Sequence, residues 1–154
     1  MPQIILNTVI NTPREVVFDL ARSIDFHKES TKQTKEQAIA GKVKGLIELG
    51  ESVTWRAKHF GFWLILESKI TKFNYPNSFT DEMVKGSFKS FKHEHIFEIK
   101  DDKTVMTDIF DYKSPLGFLG KLADILFLKR YMTKFLSTRN TILKDYLESK
   151  NNYA

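Results

Sequence analysis

Two histidines separated by a single residue are the side chains best placed to do chemistry in this sequence. His93 and His95 flank Glu94, and on a β-strand their imidazoles would share one face, about 7 Å apart. Phe91 and Phe97 continue the same alternation, while charged residues occupy the opposite face. We therefore expect two imidazoles on the inner face of a strand, set among aromatic rings.

Two aspartates are expected on the neighbouring strands, each directly opposite one histidine. Antiparallel hairpins closed by the turns on either side of the histidine strand put Asp81 opposite His93 and Asp108 opposite His95. A buried polar group without a partner costs about 1–3 kcal/mol, so two buried imidazoles need these carboxylates. The sequence thus predicts that both histidines act from inside the fold, whereas His27 is expected to face solvent.

Three kinds of chemistry are open to this group of imidazoles and carboxylates. With His59 as a third ligand, His93 and His95 could form a three-histidine zinc site. A carboxylate that fixes the tautomer of an imidazole also makes a general acid/base pair. The interpretation we favour is a polar patch, without metal or cofactor, that binds the polar end of a ligand. Covalent acyl chemistry is not expected, because the chain has no cysteine and no serine in a nucleophile-elbow context.

The elements that must position these residues are mostly strands. Apolar β-branched residues predict a first strand over Gln3–Ile10, and a helix-start signal around Pro13 begins the first of two short helices, of which the second ends near Ser30. From residue 39 onward, turn residues separate successive segments with strand alternation, the last of which is Thr104–Tyr112. Short connections predict antiparallel pairing of these strands.

The last element is predicted to be one long helix. Between Gly117 and Glu148 the apolar residues follow helical spacing, and a helix of about 30 residues would be near 45 Å long. Arg139 falls at the edge of the apolar stripe, where it is either a snorkelling cation or a partner for a ligand carboxylate. Phe118, at the start of the helix, is expected to act as a lid.

This order of elements predicts an α+β fold, in which six or seven antiparallel strands wrap around the C-terminal helix in a single domain over residues 1–154. A sheet curved around a helix leaves space that a ligand can occupy. The residues expected to line that cavity are Trp55, His59, Asp81, Phe91, His93, His95, Asp108, Phe110, Tyr112, Phe118 and Arg139. Phe60 and Phe62 are expected in the core.

Composition narrows the classes of function. The 13 Phe, 5 Tyr and 2 Trp among 154 residues indicate a heavy core or a lined cavity. Without cysteine there is no disulfide framework and no Cys-ligated metal. The longest apolar run, Phe62–Leu66, is far short of the roughly 20 residues of a membrane helix, and the start lacks a signal-peptide pattern, so a cytoplasmic protein is expected.

The charge pattern argues against two kinds of partner. The formal net charge is +5, but arginine supplies only five of the 24 cations and the lysines are scattered. Phosphate and base recognition favours the bidentate arginine fork. We therefore expect no nucleic-acid partner, and a membrane partner is not favoured either.

Four segments resemble known proteins. Thr12–Phe18 resembles the first helix of the START/Bet v 1-like (SRPBCC) superfamily, and Val53–Gly61, Asp81–His95 and Asp111–Gly117 resemble its bacterial polyketide cyclase/dehydrase-like subgroup. The resemblance implies a helix-grip fold around an apolar cavity. It does not imply one function, because carriers, sensors and enzymes share this fold.

The function expected from residues and resemblance together is binding of a hydrophobic small molecule as a carrier or sensor. Lipid-like, isoprenoid and aromatic polyketide-like ligands all fit that expectation. The alternative is a cyclase-, dehydratase- or hydrolase-type enzyme that uses His93 or His95 as its base. A third interpretation is a homodimer that buries Trp63 and Ile65, residues that could instead make the pocket more apolar.

Overall fold

A seven-stranded antiparallel sheet forms the body of the protein. The computed structural model describes residues 2–115, 119, 122 and 127–151. The strands are β1 (Gln3–Ile10), β2 (Gln37–Gly41), β3 (Ser52–His59), β4 (Phe62–Asn74), β5 (Ser78–Lys85), β6 (Ser90–Lys100) and β7 (Lys103–Lys113). Their order in the sheet is β1-β7-β6-β5-β4-β3-β2. Every strand after β2 therefore pairs with its predecessor, and β1 pairs with the last strand.

In the described ranges, three helices with continuous bounds cover the inner face of this sheet. They are α1 (Arg14–Ala21), α2 (Ile24–Ser30) and α3 (Lys129–Asn151), and a single 3₁₀ turn, Lys32–Thr34, follows α2. The buried residues of α3 recur three or four positions apart and form one stripe; they are Met132, Leu136, Asn140, Leu143 and Leu147. This is the predicted helix-grip arrangement of α+β type, with the long helix against the sheet.

The two hairpins that carry the histidines have the predicted register. Asp81 is paired with His93 across β5 and β6, and His95 is paired with Asp108 across β6 and β7. The β6–β7 turn consists of Asp101 and Asp102, both with positive φ, as a two-residue hairpin turn of type I′ requires. The inner-face assignment that depended on this register is confirmed.

Two predicted core residues are in fact exposed. Phe60 and Phe62 have 62% and 70% of their surface accessible, so their placement in the core is wrong. Phe60 and Gly61 both adopt positive φ, 54° and 81°, and close the β3–β4 hairpin as another two-residue turn. The two phenylalanines therefore stand at the hairpin tip, where the ring of Phe60 lies 4.4 Å from that of Tyr131 on α3.

Strand β4 is apolar on both faces, and only its inner face reaches the interior. Trp63 and Ile65 lie on the outer face with 42% and 55% of their surface exposed, and the guanidinium of Arg56 lies 3.9 Å from the centroid of the Trp63 ring. They do not line the pocket. Leu64 and Leu66, which alternate with them, line cavities on the inner side.

The predicted helix over Gly117–Glu148 is described from residue 127 onward. Most of its first third, including the proposed lid residue Phe118, lies outside the described residues. Within the ranges that are described, no helix is both long and apolar enough to cross a membrane.

Candidate functional site

The predicted histidines and aspartates meet on the inner face of β5, β6 and β7. His93 and His95 are each 4% exposed, and Asp108 is completely buried. Their strands alternate buried and half-buried residues along this whole stretch. The period of two that predicted the inner face is therefore the cause of this placement.

The hydrogen bonds run diagonally across the strand pairs rather than directly. His93 Nε2 donates to Asp108 Oδ1 at 2.7 Å, and His95 Nε2 donates to Asp81 Oδ1 at 2.9 Å. The direct neighbours of the histidines on the other sides are Phe110 and Phe79. Diagonal neighbours are within reach of long side chains. The register alone predicts that each histidine bonds the aspartate directly opposite it, but in the structure the two histidines exchange these partners.

Helix α3 completes the coordination of Asp108 from the opposite side. Arg139 Nη2 donates to Asp108 Oδ1 at 3.0 Å, and Asn140 Nδ2 donates to Oδ2 at 2.6 Å. His95 Nδ1 lies 3.3 Å from Asp108 Oδ1, a charge contact without the geometry of a hydrogen bond. We call these six residues the Asp108 network: Asp81, His93, His95, Asp108, Arg139 and Asn140.

Aromatic rings hold the two imidazoles in place. The rings of His93 and His95 are stacked with centroids 3.9 Å apart, and His95 stacks on Phe79 at 4.3 Å. His93 meets the ring of Phe110 edge-on at 5.3 Å. The alternating aromatic residues of β5–β7 therefore fix the ring planes, and the carboxylates fix which nitrogens carry protons.

The environment drives the pKa values of the two histidines apart. Burial, reinforced by the nearby charge of His95, lowers the pKa of His93 to about 4. Burial also opposes protonation of His95, but its contacts with Asp108 and Asp81 outweigh this and raise its pKa above the ordinary value. The site thus pairs a neutral imidazole with one that favours its charged form.

Both carboxylates of the network remain ionised. Burial opposes the charge of Asp108, but the hydrogen bond from His93, the close contact with His95 and the charge of Arg139 hold its pKa well below the usual range. The pKa of Asp81 is lowered in the same way, chiefly by the hydrogen bond from His95 against the cost of burial. Two negative charges therefore face the guanidinium of Arg139 and the imidazole of His95, whose charged form they favour.

Three members of the network could in principle hold a metal ion. Ligand atoms of Asp81, His93 and His95 all lie within 4.8 Å of one another. To bind an ion, the Nε2 atoms would have to give up their hydrogen bonds to carboxylates, and His95 would have to lose a proton that its surroundings favour. His59, the predicted third histidine ligand, is not in this group.

A cavity of about 130 Å³, which we call the main cavity, lies between this network and the inner faces of β3 and β4. Its walls are largely apolar side chains from the sheet and from α3, among them Trp55, Phe79, Phe91, Phe110, Met132 and Phe135. Asp81, His93, His95 and Arg139 form one polar part of the wall, and a second polar part includes His27 and Glu36. A cavity of this size is comparable with the roughly 150 Å³ that holds a benzene molecule in an apolar interior.

Three residues that were predicted to line the main cavity lie outside its wall. Asp108 and Tyr112 are fully buried beneath the wall rather than on it. His59 lines a neighbouring side cavity of about 60 Å³, where its Nδ1 is hydrogen-bonded to the hydroxyl of Tyr131 at 2.6 Å. Burial lowers the pKa of His59 and raises that of Tyr131.

Three residues at these sites were missed from the sequence or assigned differently. His27 was expected to face solvent, but its ring lies 4.4 Å from that of Trp55, and its Nε2 is 3.1 Å from Glu36 Oε1. Glu36 lines both cavities and lies in a polar stretch that gives no signal of burial. Asn140 could have been found, because it interrupts the apolar stripe of α3.

Solved structures similar to this one share its fold over nearly the whole chain. The protein TTHA0849 from Thermus thermophilus matches with a TM-score of 0.79 at 16% identity, covering 97% of this chain and 99% of its own. The ginseng major latex-like protein 151 from Panax ginseng matches at 0.69 and 18%, covering 95% and 97%. The Aha1 dimer from Colwellia psychrerythraea matches at 0.66 and 13%, covering 96% and 97%.

These structural matches establish the fold class. The chain has the helix-grip fold that these structures share, which is the fold that its resemblance to the START/Bet v 1-like (SRPBCC) superfamily predicts. No protein-family model matches the sequence, and no curated protein matches it. Function must therefore be argued from the cavity and its side chains.

Proposed function

We propose that this protein binds a compact, largely apolar small molecule in the main cavity, as a carrier or sensor. The observation that supports this is the space of about 130 Å³, with mostly apolar walls and a few polar groups, that remains between the sheet and α3. Binding sites commonly combine apolar walls with a few polar groups that orient the ligand. Asp81 and Arg139, whose side chains are 19% and 13% exposed, would meet the polar group of such a ligand.

The volume favours some ligands of the expected class over others. An aromatic ring or a short isoprenoid is near the scale of the cavity. A long acyl chain needs a cavity of about 300 Å³ or more. We therefore propose that aromatic and short isoprenoid ligands bind better than fatty acids.

Binding can be tested with toluene, indole, geraniol and palmitate in ligand-detected NMR and thermal-shift measurements. Ser68 is a buried residue on the wall of the main cavity, so Ser68→Leu should fill the space and abolish binding of the small ligands. Thr54→Leu, which adds a similar volume on the outer face of β3, is the matched control and should bind normally. Failure of every ligand to bind the unmodified protein would refute the proposal.

A second candidate function is general acid/base catalysis on a ligand in the same cavity. The observation that favours it is the stacked pair of a neutral His93 and a charge-favouring His95, which together could accept and donate a proton. This candidate predicts a bell-shaped pH–rate profile, and for His95→Ala a loss of kcat with little loss of binding. Equal losses of binding and turnover would favour the carrier.

Self-association is a further proposal, based on the exposed outer face of β4. Trp63 and Ile65 are both accessible there, and one structural neighbour is described as a dimer. Light scattering should report a dimer that Trp63→Lys converts to a monomer. If the unmodified protein is already a monomer, this proposal is refuted.

A further inference from the structure

One oxygen of a buried carboxylate beside the cavities has no hydrogen-bond donor among the described residues. The side chain of Glu36 is only 8% exposed, and it lies in the wall of both the main cavity and the side cavity. Its Oε1 is paired with His27 Nε2. Its Oε2 is buried and has no hydrogen-bond partner among the described residues.

The polar groups around Glu36 have other hydrogen-bond partners. The hydroxyl of Thr31 donates to the backbone carbonyl of His27 at 2.6 Å. His59 is hydrogen-bonded to Tyr131. Thr31 lies close enough to Glu36 to help lower its pKa, but its hydroxyl proton is already donated to the carbonyl of His27.

This carboxylate stands far from the Asp108 network around the curve of the sheet. Glu36 immediately precedes β2, whereas the network begins on β5, three strand spacings away, or about 14 Å at roughly 4.8 Å per spacing. The main cavity reaches both, because Asp81 and Glu36 are both part of its wall. A ligand held in that cavity can thus meet polar groups at two separate places.

We infer that Glu36 forms a second polar subsite that takes a protonated amine carried on an apolar ligand. The inference deepens the proposed binding function and depends on it. A buried carboxylate oxygen without a donor is best satisfied by a charged donor, since charge-assisted hydrogen bonds are the stronger ones. The burial of Glu36 opposes its ionisation, but the neighbouring His27 keeps its pKa below the usual value, so the acceptor is an anion.

The aromatic residues around the subsite suit a cation as well. Trp55 and Phe88 line both cavities together with Glu36. An ammonium group over an aromatic face gains additional electrostatic stabilisation, most of all over tryptophan. A neutral hydroxyl would satisfy Oε2 but would gain little from the rings.

The experiment compares three probes of similar size, toluene, benzyl alcohol and benzylamine, titrated into the full chain at pH 7 and followed by ligand-detected NMR. A hydrogen bond to a charged group is worth enough for benzylamine to bind about tenfold or more tightly than toluene. Glu36→Gln should reduce that preference to less than about threefold. Glu29→Gln removes an exposed carboxylate from α2 and should keep the full preference.

The outcomes separate this inference from the proposed function. If toluene binds but benzylamine has no advantage, or if Glu36→Gln keeps the advantage, the amine subsite is refuted and apolar binding stands. If none of the probes binds, both proposals fail together.

A measurement on the unmodified protein keeps the inference testable even if Glu36→Gln folds poorly. In bound benzylamine, the methylene protons next to nitrogen should show nuclear Overhauser effects to the rings of Trp55 and His27. Effects to His95 alone would place the amine at the Asp108 network and refute the subsite.

Discussion

The Asp108 network and the side cavity both combine buried carboxylates with histidines, but they differ in how completely their polar atoms are paired. Asp108 accepts from His93, Arg139 and Asn140 and contacts His95. Among the described residues, Glu36 Oε1 is hydrogen-bonded to His27, and Oε2 has no donor with hydrogen-bond geometry.

This difference indicates that the two groups of buried charges have different roles, one in stability and one in ligand binding. A satisfied network stabilises and orients the residues that form it, and breaking one member leaves another charge buried. An acceptor without a donor adds little to the stability of the ligand-free fold and is available to a ligand. We therefore expect substitutions in the network to affect mainly stability and substitution of Glu36 to affect mainly binding.

The largest effect on folding is expected from Asp108→Ala. The change leaves the charges of Arg139 and His95 buried near a neutral site and removes the acceptor of Asn140. Breaking one partner of a buried ionic group typically costs about 3–5 kcal/mol in the free energy of unfolding. Urea denaturation at pH 7 measures it, and a loss under about 1 kcal/mol would contradict the structural role assigned to the network.

The pH dependence of stability should be the next largest effect, and its sign differs between the two histidines. The unfolded chain binds a proton near pH 6.5 that folded His93, with a pKa of about 4, does not. Stability should therefore decrease as pH falls from 6.5 to 4, by roughly 3 kcal/mol from this residue alone. His93→Gln should flatten that part of the urea-denaturation profile.

The raised pKa of His95 acts in the opposite direction. Its stabilising contribution is present below pH 6.5 and is lost as the pH rises through its folded-state pKa. NMR titration should show His95 gaining its proton above pH 6.5, while His93 remains neutral down to about pH 4. Two histidines that titrate together near 6.5 would show that both are accessible to solvent.

An intermediate effect is expected from Asn140→Ala. This residue is 2% exposed and supplies the only hydrogen bond to Asp108 Oδ2 among the described residues. A hydrogen bond to a charged group is worth about 1.5–3 kcal/mol, so unfolding should become easier by about 2 kcal/mol. Tyr131→Phe is the matched comparison, because it removes the partly buried hydrogen bond to His59. It should lower the free energy of unfolding by less than about 1 kcal/mol.

The smallest effect on stability is expected from Glu36→Gln. The amide oxygen can still accept from His27, and the atom that replaces Oε2 loses no partner. The free energy of unfolding should therefore stay within about 1 kcal/mol of the unmodified protein, although amine binding is impaired. A loss as large as that of Asp108→Ala would mean that Glu36 belongs to a structural network as well.

Much of the fold follows from short-range features of the sequence. Turn residues such as Asp101-Asp102 set the hairpin registers, and a register combined with the period of two places His93, His95 and Asp108 on the inner face. These features act between residues close in the chain or on neighbouring strands, so the pattern of residues is enough to predict them. The C-terminal helix is likewise evident from its apolar stripe.

The partners of the buried side chains were decided by the tertiary structure. Stacking of His95 on Phe79 and the edge-on contact of His93 with Phe110 hold the imidazoles towards the diagonal aspartates. The packing of α3 on the sheet brings Arg139 to Asp108. The packing of α2 buries His27 and Glu36 against Trp55. The sequence by itself determined which strand faces point inward, because alternation is local. Which charges meet there depends on how distant elements pack, and only the folded chain decides that.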